Sequence, residues 1–167
     1  MVTLYPVLMI EAKTYLFAGA ALVPLDDVHQ PPERLNYIEG AIELSIDGHP
    51  IITKDEWDLV DPLWGYLVNA VQRVAAGHDA QMPFPDTPID VTFVSDAASD
   101  TVTVTLSYTN LPTPRSATVP RAELVRRICE LARDVFEKLY ALVPDARFQR
   151  VLDQIREVLP AEQDGRM

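Results

Sequence analysis

Apolar and polar positions alternate most regularly between Tyr37 and Asp47. Ile38, Gly40, Ile42, Leu44 and Ile46 fall on one face, and Tyr37, Glu39, Ala41, Glu43, Ser45 and Asp47 on the other. An unbroken period of two predicts an antiparallel strand with one wet face, closed by a turn at Asp47-Gly48. Upstream, Val2–Ile10 and Thr14–Val23 read as two apolar strands around a Glu11-Ala12-Lys13 turn, with Pro6 favouring an edge position. Leu25–Arg34, bounded and interrupted by Pro24, Pro31 and Pro32, reads as a loop.

The period then changes from two to that of a helix. Thr53 and Glu56 have the spacing of a capping box, with Ile52 and Trp57 at the staple positions. Trp57, Val60, Trp64, Leu67, Val68, Val71 and Val74 follow at helical spacing, and Gly77 closes the run. Pro62 falls inside this helix, where proline costs about 3 kcal/mol, so a kink or a restart capped by Asp61 is expected. Met82–Pro88, with three prolines, reads as an extended loop. Ile89–Ser95 and Thr101–Tyr108 read as a hairpin around Asp96–Asp100, and Arg115–Val119 as a short further strand.

Pro120 suits the first turn of a second helix, whose stripe is Leu124, Val125, Ile128, Leu131, Ala132, Val135, Leu139 and Leu142. Its wet face pairs Glu123 with Arg127, Arg126 with Glu130, Arg133 with Glu137 and Asp134 with Lys138. Pro144-Asp145 breaks it, and Phe148, Val151, Leu152, Ile155 and Leu159 mark a last helix. The order β-β-β-α-β-β-(β)-α-α implies an α+β fold, an antiparallel sheet with helices packed on one face. Residues 1–160 are expected to form one domain and 161–167 a flexible tail.

Composition agrees with one folded domain: 167 residues, 48% hydrophobic, with a core sufficient without disulfide or metal. The single Cys129 excludes an internal disulfide and fits a reducing compartment. Glu11 and Lys13 interrupt the apolar start, and no basic cluster precedes Thr14–Leu25, so neither a signal peptide nor a spanning helix is expected. The expected location is the cytoplasm.

Charge narrows the choice of partner. The net charge is −11, and residues 1–100 carry sixteen Asp or Glu against four Lys or Arg. Such a surface repels phosphate, which disfavours nucleic acid and anionic membrane as partners and favours a basic protein.

Motifs for chemistry are sparse. His29, His49 and His78 are scattered without a cysteine partner, unlike a zinc site. Asp55, Asp58 and Asp61 recur every three residues, which suits the positive end of a helix better than a cation site. Glu39 and Glu43 share a strand face but stand about 13 Å apart at about 3.3 Å per residue. Glycosidase carboxylates sit about 5–9.5 Å apart. No serine lies in a Gly-x-Ser-x-Gly elbow, and the six glycines form no phosphate-binding loop. Cys129 falls on the apolar stripe of its helix, as a small hydrophobe does. No catalytic residue, cofactor or metal is assigned.

Trp57 and Trp64 read first as core of one helix, with a rim position for one of them as the alternative. Phe84-Pro85-Asp86-Thr87-Pro88 reads as a rigid connector or a recognition edge. Tyr37-Ile38-Glu39-Gly40-Ala41-Ile42-Glu43-Leu44, the Trp57-Asp58 pair and the segment Phe84–Ile89 together resemble small bacterial proteins, some of which resemble immunity proteins of polymorphic toxin systems. Immunity proteins as a group are small, acidic and cytoplasmic, and block a toxin by binding it. The resemblance carries over no functional residue.

The expected function is therefore an acidic protein-binding module, an immunity- or antitoxin-like inhibitor of a basic toxin or effector. Its expected binding residues are Tyr37, Glu39, Glu43 and Asp47 on the strand, with Asp55, Glu56, Trp57, Asp58 and Asp61 at the helix start. Alternatives are a small enzyme or ligand-binding module with a dispersed site, and a homodimeric scaffold joined through the N-terminal strands or last helix.

Overall fold

A computed structural model describes residues 8–159. The chain runs through β1 (Ile10–Ala18), β2 (Ala21–Pro24), a 3-10 turn (Leu25–Asp27), β3 (Glu39–Ile46), β4 (His49–Ile52), β5 (Asp58–Leu59) and α1 (Val60–Ala75). It continues through β6 (Ala80–Pro83), β7 (Asp90–Asp96), β8 (Thr101–Ser107), β9 (Arg115–Pro120), α2 (Arg121–Leu142) and α3 (Ala146–Val158). The protein is α+β, and every strand pair is antiparallel.

Where one sheet was expected, there are two. The first runs β2-β1-β3-β4 with β5 added on β3, and the second is a β6-β7-β8-β9 meander. Strand β4 of the first lies against β8 and β9 of the second without joining their ladder. Each outer strand of the two main orders contains a proline: Pro24 in β2, Pro50 in β4, Pro83 in β6 and Pro120 in β9. Proline offers no N–H to a new neighbour, so these edges resist further pairing. Helices α1 and α2 both touch the two sheets, and α3 packs across α1 and α2. One apolar cluster runs through both sheets and through α1, α2 and α3.

Three expectations need correction at the level of elements. Glu11-Ala12-Lys13 is not a turn but part of β1, with Glu11 opposite Ser45 and Lys13 opposite Glu43. Its charges are the wet positions of an alternating strand whose inner residues include Thr14 and Leu16. The reversal comes instead at Gly19, whose φ is +64°. The expected strand Val2–Ile10 lies largely outside the described residues, as does the expected tail.

The first helix begins at Val60, not beside Thr53. Only half of the Thr53–Glu56 box forms: Thr53 donates its N–H to Glu56 Oε1 at 3.0 Å, but its hydroxyl donates to Oε2, also at 3.0 Å, and the Glu56 N–H goes to the Thr53 carbonyl at 3.1 Å. It closes an isolated turn, because the next residues extend and pair with β3, Asp58 opposite Gly40 and Leu59 opposite Glu39. Pro62 thus falls in the helix's first turn, where no N–H is needed, and no kink is required. Of the three spaced aspartates, only Asp61 belongs to that turn. Finally, the proline-rich Met82–Pro88 segment begins inside strand β6, and Phe84–Ile89 is the tight link to β7, closed by Phe84 N–H to Ile89 O at 2.8 Å.

Two buried carboxylates fasten the sheets to each other. Glu56 and Asp58 are each only 2% exposed. Glu56 pairs with Arg115 at the start of β9, and the same guanidinium donates to the Ile51 carbonyl of β4 at 3.3 Å. Asp58 accepts the N–H of Asp86 at 3.1 Å, and from Thr87 the N–H at 3.0 Å and the hydroxyl at 2.7 Å. The first sheet is thereby tied to the β6–β7 loop at one point and to β9 at another. No buried side-chain polar atom among the described residues lacks a partner. Inside the core, Trp64 donates its indole N–H to Thr14 Oγ1 at 3.0 Å, joining α1 to β1.

Asp58→Ala should destabilise the protein by about 3 kcal/mol in urea denaturation, because the Asp86 and Thr87 amides lose a charged acceptor. Glu123→Ala, which removes a half-exposed ion pair on α2, should cost under about 1 kcal/mol. Equal losses would mean that Asp58 does not lock the loop. Glycines give a second contrast. A Cβ on Gly40 would stand 1.9 Å from the Tyr15 carbonyl oxygen and 2.6 Å from Val60 Cγ2, whereas one on Gly65 meets nothing within 4 Å. Gly40→Ala should cost about 2 kcal/mol or more, and Gly65→Ala should be neutral or stabilising by up to about 1 kcal/mol, in the same assay.

Candidate functional site

The wet face of the first sheet carries more aromatic surface than alternation alone explains. Cross-strand register aligns Tyr15 with Ala41 and Pro24, and Phe17 with Leu22. Continuing the β3–β5 register places Trp57 beside Ala41, and continuing the β1–β3 register places Phe17 beside Glu39. Trp57 and Phe17 meet edge to face with ring centroids 5.4 Å apart. Trp57 is nevertheless 47% exposed, and Tyr37, two residues before β3, is 58% exposed. Ala41 at the centre is fully covered, so the small residue on β3 leaves room for the rings around it.

Trp57 owes its position to its neighbours. In an extended segment successive side chains point to opposite sides. Glu56 and Asp58 both turn inward to their latches, so Trp57 between them is held outward. The reading of Trp57 as core of α1 is thus corrected. Trp64, the other tryptophan, is fully buried as expected.

Tyr15 and Glu43 form a closed polar unit on the same face. The Tyr15 hydroxyl donates to Glu43 Oε1, the Lys54 ammonium lies 4.4 Å from the centre of the Tyr15 ring, and Lys13 lies 5.4 Å from it. Lys54 also stands 3.8 Å from Glu43. Burial, then the hydrogen bond to Glu43, raises the Tyr15 phenol from the ordinary 10.0 to about 12.

The other expected site residues separate. Asp47, in the turn after β3, accepts the Met9 N–H at 2.9 Å, and Asp55 is exposed in the Thr53 turn. Asp61 is half-buried beneath α3; burial raises its carboxyl, and Arg147, 3.9 Å away, opposes the rise. Glu56 and Asp58 lie under the surface, where their work is structural. The structure therefore gathers Glu39, Glu43 and Trp57 on one face with Tyr37 at its end, and removes Glu56 and Asp58 from reach. Tyr15, Phe17 and Leu22 were missed, because a single strand over Thr14–Val23 hides the reversal at Gly19 that brings Leu22 back beside Phe17.

Features bearing on chemistry are few. Cys129 is fully buried, and burial raises its thiol to about 11, which disfavours the thiolate a nucleophile needs. Among the described residues no three His, Cys, Asp or Glu side chains are arranged to hold a metal ion. An open groove of about 280 Å³ between α1 and β6 is lined by Tyr66, Asn69, Arg73, Gln81 and Met82, without a carboxylate or histidine. No described helix is long and apolar enough to cross a membrane. The chain matches no family model and no curated protein.

Tyr15 supplies a pH signature. Because its folded pKa is raised, its contribution to stability is complete below about pH 10 and is lost as pH rises toward about 12. In an ultraviolet titration one tyrosine should ionise only near pH 12, and Tyr15→Phe should abolish that step. The variant should also show a smaller fall in unfolding free energy across that interval. A titration unchanged by the substitution would disprove the Tyr15–Glu43 unit.

Proposed function

We propose that this protein is an acidic protein-binding module, an immunity- or antitoxin-like inhibitor acting in the cytoplasm, that captures a basic partner on the outer face of its first sheet. One observation carries the reading: Trp57 stands half exposed between two locked residues and beside Phe17, on a face that also bears Glu39 and Glu43. An exposed tryptophan is a typical anchor of protein interfaces. Its flanks are already ordered by Glu56 and Asp58, so little conformational entropy remains to be lost on binding. Carboxylates around an aromatic centre give the surface a sign, and the net charge of −11 extends that sign to long-range steering. Charge reversal at Asp58 is unsuitable as a test of the surface, because it would break the fold's latch.

A tagged pull-down from the native host's lysate, at low and high salt and read by mass spectrometry, tests the reading. The wild type should retain a basic protein at low salt and release it at high salt. Trp57→Ala combined with Glu39→Lys should weaken that capture at least about tenfold, the scale of a lost hot spot. Retention of no protein, or equal retention by the variant, would overturn the reading.

A further inference from the structure

The outer face of the first sheet contains two aromatic–carboxylate units four residues apart along β3. At Glu43 the unit is complete within the chain: the Tyr15 ring has Lys54 at 4.4 Å and Lys13 at 5.4 Å, and Glu43 takes both the phenol and the Lys54 charge. At Glu39 the pairing of a carboxylate with aromatic rings recurs, with an indole and a phenyl ring in place of the phenol. Glu39 is exposed, with Phe17 beside it on β1 and Leu59 opposite it on β5. Trp57 stands diagonally across, its ring against Phe17. Among the described residues no Lys or Arg lies over Trp57 or Phe17. Nor does Glu39 have an ion-pair partner among them.

Tryptophan is the strongest of the aromatic residues at holding a cation over its face, and a neighbouring carboxylate adds charge to that attraction. Arginine fits better than lysine, because its planar guanidinium stacks on a ring while its N–H groups fork onto a carboxylate. We infer that Glu39, Trp57 and Phe17 form a receptor for one arginine side chain of the basic partner. This deepens the protein-binding reading by naming the group recognised, and it rests on that reading.

The test uses blocked tetra-arginine and tetra-citrulline peptides, the second equal in shape and neutral. Each is titrated into the full chain at low salt. Trp64 is fully buried, so a change in tryptophan emission reports Trp57. Tetra-arginine should shift the emission, and tetra-citrulline should bind at least about tenfold more weakly. Glu39→Gln should weaken tetra-arginine about two- to fivefold, the scale of one exposed cation–π or ion-pair contact, while Glu137→Gln, at an exposed carboxylate on α2, changes it less than about twofold. Trp57→Leu, followed by calorimetry, should weaken it by a similar two- to fivefold factor. Equal binding of the citrulline peptide would overturn the receptor, because charge would then play no part; equal weakening by Glu39→Gln and Glu137→Gln would overturn it too, because general acidity would then explain the binding. The two readings fail separately. A basic partner captured from lysate but indifferent to Glu39→Gln overturns the receptor alone. Peptide bound at Trp57 with no protein retained from lysate overturns the protein-binding reading alone.

Discussion

Glu56 and Asp58, two carboxylates separated by Trp57 alone, set the geometry on which the other parts depend. Both are buried, and both are satisfied by groups of the second sheet or its loop: Arg115 for Glu56, and the Asp86 and Thr87 amides with the Thr87 hydroxyl for Asp58. A buried charge without partners costs several kcal/mol, so the short segment carrying them can settle in only one register. That register fixes where β4 meets β9, where α1 can start, and which way Trp57 points. The proline in each outer strand makes the latch more consequential, since edges that resist pairing leave side chains to join the sheets.

The same constraint that holds the fold also shapes its surface. Extended backbone between two inward residues must send the middle one outward, and the middle one here is a tryptophan. Gly40 completes the arrangement from the other side. A Cβ there would collide with the Tyr15 carbonyl and with Val60, so glycine lets β1, β3 and the start of α1 approach closely. The outer face is consequently a rigid one, with its aromatic rings set by backbone on three strands. Rigidity of this kind favours recognition by a fixed surface over recognition by a loop that orders on binding.

Charge takes on a different meaning once the side chains are placed. Of the sixteen acids among the first hundred residues, Glu56 and Asp58 are internal struts, Glu43 is tied to Tyr15 and Lys54, and Asp26 is tied to Lys138. The surface acidity that matters locally at the aromatic face narrows to Glu39. On the proposed reading, net charge would steer an approaching partner, while a single carboxylate beside two rings would set the group recognised.

The sequence by itself determined the secondary-structure class and most of the core. Strand β3, the β7–β8 hairpin, and helices α2 and α3 follow from periodicity because each is long enough for its pattern to outweigh its context. Even the Thr53–Glu56 box formed in part, through the bond from the Thr53 N–H to the Glu56 carboxylate. Only the tertiary structure decided what that box does. A capping box specifies hydrogen bonds among four residues, and those bonds are compatible with a helix or with a lone turn. Arg115, fifty-nine positions downstream of Glu56, and Gly40 on β3 select the turn. The division into two sheets and the exposure of Trp57 follow from contacts of that range, which no local period encodes. Local pattern fixes a residue's conformation where neighbours suffice; distant partners fix its direction where they do not.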